Sequence, residues 1–216
     1  MTNKDLKQAV QNALDWDPSI DPADIGVSTD EGVVTLRGTV RTFAEKFEAE
    51  RVALGIFGVK GVANDLTVHL PTMFERTDTE IAQAAVTALK SNIVVPAGRV
   101  TVTVADGWIT LKGNVEWQYQ KDAAAQCVRP LFGVKGVSNT IALEPHVKPI
   151  EVRDKIEAAF KRSAEVDARR INVNASDGKV ILSGNVRSYA ERQEAERAAW
   201  AAPGVRQVED RLAIVP

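Results

Sequence analysis

The sequence predicts an α+β fold of three tandem α-β-β-α-β modules, each with two helices packed on a three-stranded sheet. Three observations lead there. A short string ending in Gly-x-Val occurs three times: Val34-Thr35-Leu36-Arg37-Gly38-Thr39-Val40, Ile109-Thr110-Leu111-Lys112-Gly113-Asn114-Val115 and Val180-Ile181-Leu182-Ser183-Gly184-Asn185-Val186. The offsets, 75 and then 71 residues, also align Glu31-Gly32 with Asp106-Gly107 and Asp177-Gly178, and Asn64 with Asn139 and Asp210. Within each copy the apolar spacing changes from helical to alternating and back, which marks one supersecondary unit repeated along the chain.

Each copy opens with a helix. Leu6, Val10 and Leu14 recur at every fourth position and form one apolar face, matched by Ile81, Ala85 and Leu89 and by Val152, Ile156 and Phe160. A strand follows, alternating at Ile25 and Val27, Val100 and Val102, Ile171 and Val173. The acidic-Gly pair then predicts a hairpin, because glycine enters positive φ without steric cost. The second strand points Val34 and Leu36 to one face and Thr35 and Arg37 to the other. Gly38, Gly113 and Gly184 close that strand, and a second helix begins. Its stripe is Ala49, Val52, Ala53 and Ile56, then Ala124, Cys127, Val128 and Leu131, then Ala195, Ala198, Ala199 and Ala202. Gly58, Gly133 and Gly204 stand where a helix C-terminal glycine belongs. The last strand carries Leu66 and Val68, Ile141 and Leu143, Leu212 and Ile214. All nine glycines named here, Gly32, Gly107 and Gly178 included, are expected to serve the backbone.

Composition excludes several classes. Hydrophobic residues are 44% and charged residues 26%, as in ordinary globular proteins, and no apolar run approaches a bilayer span. One cysteine, Cys127, rules out an intrachain disulfide, and two separated histidines, His69 and His146, offer no metal-ligand cluster. The net charge of -2 argues against a nucleic-acid partner. It drifts along the chain, from -4 over residues 1–71 through zero over 72–145 to +2 over 146–216. The charged N-terminal stretch lacks a signal-peptide core, so a cytoplasmic location is expected.

The element order, the acidic-Gly hairpin, the Leu-x-Gly-x-Val string and the Gly58-Val59-Lys60-Gly61-Val62 type of segment resemble BON domains, with copies at 3–71, 77–145 and 148–215. The resemblance implies a mixed three-stranded sheet covered by two helices, a non-enzymatic role without cofactors, and association with phospholipid surfaces, osmotic stress and the cell envelope. It also implies a periplasmic location as the alternative to the cytoplasm.

The candidate functional residues also have plain structural roles. Gly58-Val59-Lys60-Gly61 fits the GxxG string that clamps RNA in KH domains, but it falls between a helix and a strand. Cys127 lies on an apolar stripe, the setting of an inert thiol. No nucleophile-base set or carboxylate pair recurs, so no catalytic or metal residue is expected. Lys161, Arg162, Arg169 and Arg170 form a basic patch fit for anionic headgroups, interrupted by Glu165 and Asp167. Trp16, Trp117 and Trp200 are expected in cores, whereas Trp108, aligned with Val33 and Lys179, is expected partly exposed. The partner is thus an anionic phospholipid or a protein. The alternatives are a protein–protein scaffold that forms homo-oligomers, and an enzyme or carrier with a pocket between modules.

Overall fold

A computed structural model describes residues 2–144, 152–162, 170–176 and 178–215. Each copy begins with a helix: α1 (Asn3–Trp16), α3 (Asp78–Ser91) and α5 (Val152–Arg162). The first two start at capping boxes. The Thr2 hydroxyl accepts the Asp5 N–H while the Asp5 carboxylate accepts the Thr2 N–H, and Thr77 and Glu80 repeat the exchange. The faces read from the sequence, Leu6-Val10-Leu14, Ile81-Ala85-Leu89 and Val152-Ile156-Phe160, are the buried ones.

Antiparallel hairpins follow: β1 (Ile25–Asp30) with β2 (Val33–Val40), β4 (Val100–Ala105) with β5 (Trp108–Val115), and β8 (Ile171–Ser176) with β9 (Lys179–Val186). Glu31 and Gly32 have φ of 47° and 89°, and Asp106 and Gly107 have 51° and 79°. Two consecutive positive φ values give the turn whose twist matches that of the strands. The second helices are α2 (Phe43–Leu54), α4 (Gln118–Val128) and α6 (Tyr189–Trp200).

The third strand pairs parallel to the second: β3 (Gly61–Val68) on β2 and β10 (Gln207–Ile214) on β9. In the middle copy it is split into β6 (Gly136–Asn139) and β7 (Ala142–Leu143), both on β5, because the Thr140 N–H and hydroxyl both donate to the Leu111 carbonyl. Every sheet is therefore mixed, with the second strand in the centre, and each copy has its own apolar cluster.

The glycine that closes the central strand has a steric cause. A Cβ on Gly38 would lie 1.8 Å from the Asp24 carbonyl oxygen; on Gly113, 2.0 Å from that of Arg99; on Gly184, 2.1 Å from that of Arg170. Their φ values, 125°, 135° and 121°, add backbone strain for any L side chain.

Two further devices recur. The third residue of each second helix reaches back to the chain before it. Glu45 accepts the N–H groups of Asp21 and Arg41, each at 2.8 Å, Gln120 accepts those of Glu116 and Trp117, and Glu191 accepts that of Arg187. Glu45 and Glu191 are only 7% and 5% exposed, so these hydrogen bonds are what makes a buried acid tolerable. The aligned Asn64, Asn139 and Asp210 tie the last strand to the second helix. Asn64 and Asn139 donate to the Lys46 and Lys121 carbonyls, at 3.1 and 2.7 Å, and accept the N–H two residues on. Asp210 has no amide to donate. It accepts the Arg192 guanidinium at 2.5 Å instead, and Arg192 aligns with the two lysines.

Gly113→Ala should cost about 3 kcal/mol or more, while Gly61→Ala, with nothing within 4 Å of its Cβ position, should stay within about 0.5 kcal/mol; urea denaturation of each variant reads the difference. Asp210→Asn alone should cost about 1 kcal/mol, and Arg192→Lys added to it should restore most of the loss by rebuilding the pairing of the other copies, measured as a double-mutant cycle.

Candidate functional site

The basic residues proposed from sequence are only partly brought together. Lys161 and Arg162 occupy the last turn of α5 and are exposed. Arg170 is exposed at the approach to β8, and its carbonyl lies against Gly184. Arg169, Glu165 and Asp167 lie outside the described residues, as does His146. His69 is exposed, and no group of three or more possible metal ligands occurs among the described residues. Cys127 is partly buried at the edge of the second core, and its thiol donates to the Ala124 carbonyl. Burial pushes that thiol above its ordinary pKa, the opposite of activation. Gly58-Val59-Lys60-Gly61 joins α2 to β3 as expected.

The tryptophans correct the sequence reading. Trp16, the last residue of α1, is 89% exposed and belongs to no core. Trp117 belongs to no described core cluster and lines a groove between the second and third copies; Trp200 also lines it but packs against the third core, as expected. Trp108 is half exposed, as expected, and its indole N–H donates to the Ser138 hydroxyl at 2.8 Å.

One end of each module carries a feature that the sequence reading passed over. Lys60, Lys135 and Arg206 align in the three copies. Their N–H groups donate to the carbonyls of Gly32, Gly107 and Gly178, the hairpin glycines, at 2.8, 2.9 and 2.7 Å. Their aliphatic stems lie across those glycines, within 3.0 to 3.4 Å of a Cβ placed there, and the charged heads are left in solvent. Phe57 and Phe132 precede the helix-end glycine and are both exposed, as are Val33 and Trp108, which follow the hairpin glycine. In the second copy the connector adds to this end. Phe74 stacks on Phe132 with ring centroids 4.9 Å apart, Arg76 lies 5.5 Å over the same ring, and Met73 is 72% exposed.

The second helices make the contacts between copies. Phe43 at the start of α2 packs on the second core, and Arg129 at the end of α4 sits 3.7 Å over the Phe47 ring. The start of α4, with Trp117, Gln118, Tyr119 and Asp122, faces α6, with Gln193, Glu194, Arg197 and Trp200, across a groove of about 1110 Å³. At the start of α6, burial raises the Tyr189 phenol, with a smaller upward contribution from Glu50 of α2. No described helix is long and apolar enough to cross a membrane.

Comparison with known proteins bears on this architecture. A family model for the BON domain matches three times, at residues 2–69, 77–145 and 151–216. Osmotically-inducible protein Y of Escherichia coli (strain K12) is 33% identical over 147 residues, covering 65% of this chain and 72% of that protein. Among solved structures, the C-terminal domain of CdsD, a structural protein of the type III secretion system of Chlamydia trachomatis, aligns over 100% of both chains at 15% identity. Its TM-score of 0.27 is too low to carry an argument.

Because its thiol is raised by burial, Cys127 should react with iodoacetamide at pH 8 several times more slowly in the native protein than in urea, followed by mass spectrometry. Equal rates would show an open, reactive thiol.

Proposed function

This chain belongs to the BON domain family, with three domains in tandem, and from that premise we propose that it is a non-catalytic binding protein of the bacterial cell envelope that holds to anionic membrane surfaces under osmotic stress. The observation that carries this reading is the exposed end of the second copy. There Met73, Trp108 and Phe132 stand in solvent beside Lys135 and Arg76. Aromatic rings with cationic neighbours suit the boundary between headgroups and acyl chains. The third copy supplies charge in place of rings. Arg206 is exposed at its corresponding end, where Lys179 pairs with Glu209 at 2.6 Å, and Lys161 and Arg162 extend from α5 at the other end, by the start of β8. A basic side chain near an anionic bilayer contributes about 1 kcal/mol, so a few of them together matter while a single one does not.

The relative's name supports the osmotic part of the reading, and the family supports the envelope. The cytoplasmic location expected from the N-terminal residues gives way to the envelope on those grounds. We take the three copies to be units of 3–71, 77–145 and 148–215 that act together, each weak contact adding to the others through linkage in one chain.

In flotation with vesicles of phosphatidylglycerol and phosphatidylcholine, the protein should rise with the lipid at low salt. It should be released at about 1 M salt, where screening acts within about 3 Å. Trp108→Ala with Phe132→Ala, and separately Lys161→Glu with Arg162→Glu, should each lower the bound fraction. Absence of flotation at low salt overturns the reading. If mass by light scattering then rises with concentration, the chain is a self-associating scaffold.

A further inference from the structure

The two junctions for which the contacts are best defined use equivalent positions but are built differently. Phe43 and Phe47 of α2 face the second copy; at the 75-residue offset the residues facing the third copy are Gln118 and Asp122 of α4. Across each junction stand Arg129 and its counterpart Trp200, 71 residues later. Two phenylalanines seal the first junction, Phe43 on the second core and Phe47 under the Arg129 guanidinium. Where the amide and the carboxylate replace them, a groove of about 1110 Å³ remains. That is at or above the range of roughly 300–1,000 Å³ typical of small-molecule pockets.

The chemistry of the groove is specific. Trp117 and Tyr119 lie with ring centroids 6.3 Å apart at its α4 side, and Trp200 stands on the α6 side. The Gln118 amide donates to Asp122 at 3.0 Å, which leaves the Gln118 carbonyl oxygen buried and without a donor among the described residues. A buried acceptor of this kind calls for a partner. Asp122 keeps further acceptor capacity, and crowding by protein raises its carboxyl above the ordinary value, opposed by Gln118 and by the Arg129 and Lys121 charges. Of the other acids, Glu194 pairs with Arg197 at 2.6 Å, and Glu196 accepts only the neutral Trp200 indole N–H at 3.4 Å. The groove therefore offers unmet acceptors, broad aromatic faces and a lining of three carboxylates against one guanidinium.

We infer that this groove binds a short neutral oligosaccharide. Sugar hydroxyls donate to the Gln118 oxygen and to Asp122, and the apolar C–H face of a pyranose ring lies against the indoles. A purely apolar ligand would leave the Gln118 oxygen unmet. This site is separate from the exposed ends to which membrane binding is assigned.

The test is tryptophan fluorescence of the full chain titrated with the N-acetylglucosamine trimer and with maltotriose. At least one should give a saturable change. Trp200→Ala should weaken it about tenfold. Gln118→Phe with Asp122→Phe, which copies the first junction, should abolish it while circular dichroism stays native. Gln118→Leu, which removes only the unmet acceptor and its amide, should weaken binding without closing the groove, and keeps the test valid should the double variant misfold. No saturable response to either sugar, or a response that Trp200→Ala and Gln118→Leu leave unchanged, overturns the proposal. The vesicle experiment can succeed or fail independently of this result.

Discussion

A carbonyl oxygen lies so close to Gly38, Gly113 and Gly184 that no side chain fits there, and much of each module follows from that contact. It brings the approach to the first strand against the end of the central strand, five residues before the second helix begins. The hairpin register is fixed at one end by this approach and at the other by the acidic-Gly turn. With both ends held, the alternating side chains of the central strand keep to one face, and that face is what the two helices cover. The buried Glu45 and Glu191, and the amide of Gln120, then fix where the second helix starts.

Much of this was legible from sequence because it is periodic and occurs three times. Helix faces, hairpin turns and glycines each have a local cause, and a local cause repeats with the residues that create it. The device at Glu45, Gln120 and Glu191 was harder to see. Its hydrogen bonds go to backbone N–H groups, which leave no mark in sequence, and its chemical type changes from acid to amide. The aligned Lys60, Lys135 and Arg206 were visible as a recurring basic position, but their stems lie over a glycine that only the folded turn brings near. Trp200 packs on the third core as its helix position suggests, whereas Trp117 faces another module, which nothing local in the sequence shows. Trp16 was misread because a large apolar residue at a helix end can follow the helix out of the core's reach.

Comparing the copies separates what the fold requires from what is free to vary. The staple between last strand and second helix keeps its position while its chemistry changes as a pair, from asparagine on a lysine carbonyl to aspartate on an arginine side chain. Residues whose partners are in their own module change in such compensated ways. Residues that face another module or solvent change without that constraint: Phe43 becomes Gln118, and Val33 becomes Trp108 and then Lys179. Differences in binding are therefore expected at module ends and junctions, with the cores left alike.

The order of contacts between the second helices has a consequence in terms of symmetry. The start of α2 meets the end of α4, and the start of α4 meets α6. A head-to-tail contact passed on from one copy to the next is the heterologous interface that joins separate chains into rings or filaments. In an assembly of separate identical chains, every substitution at that interface appears in every copy at once, so an opening that creates one cavity opens all the others. Joining the copies in one polypeptide removes this coupling. One interface can remain closed by phenylalanine and hold the assembly together while the next is emptied for another use.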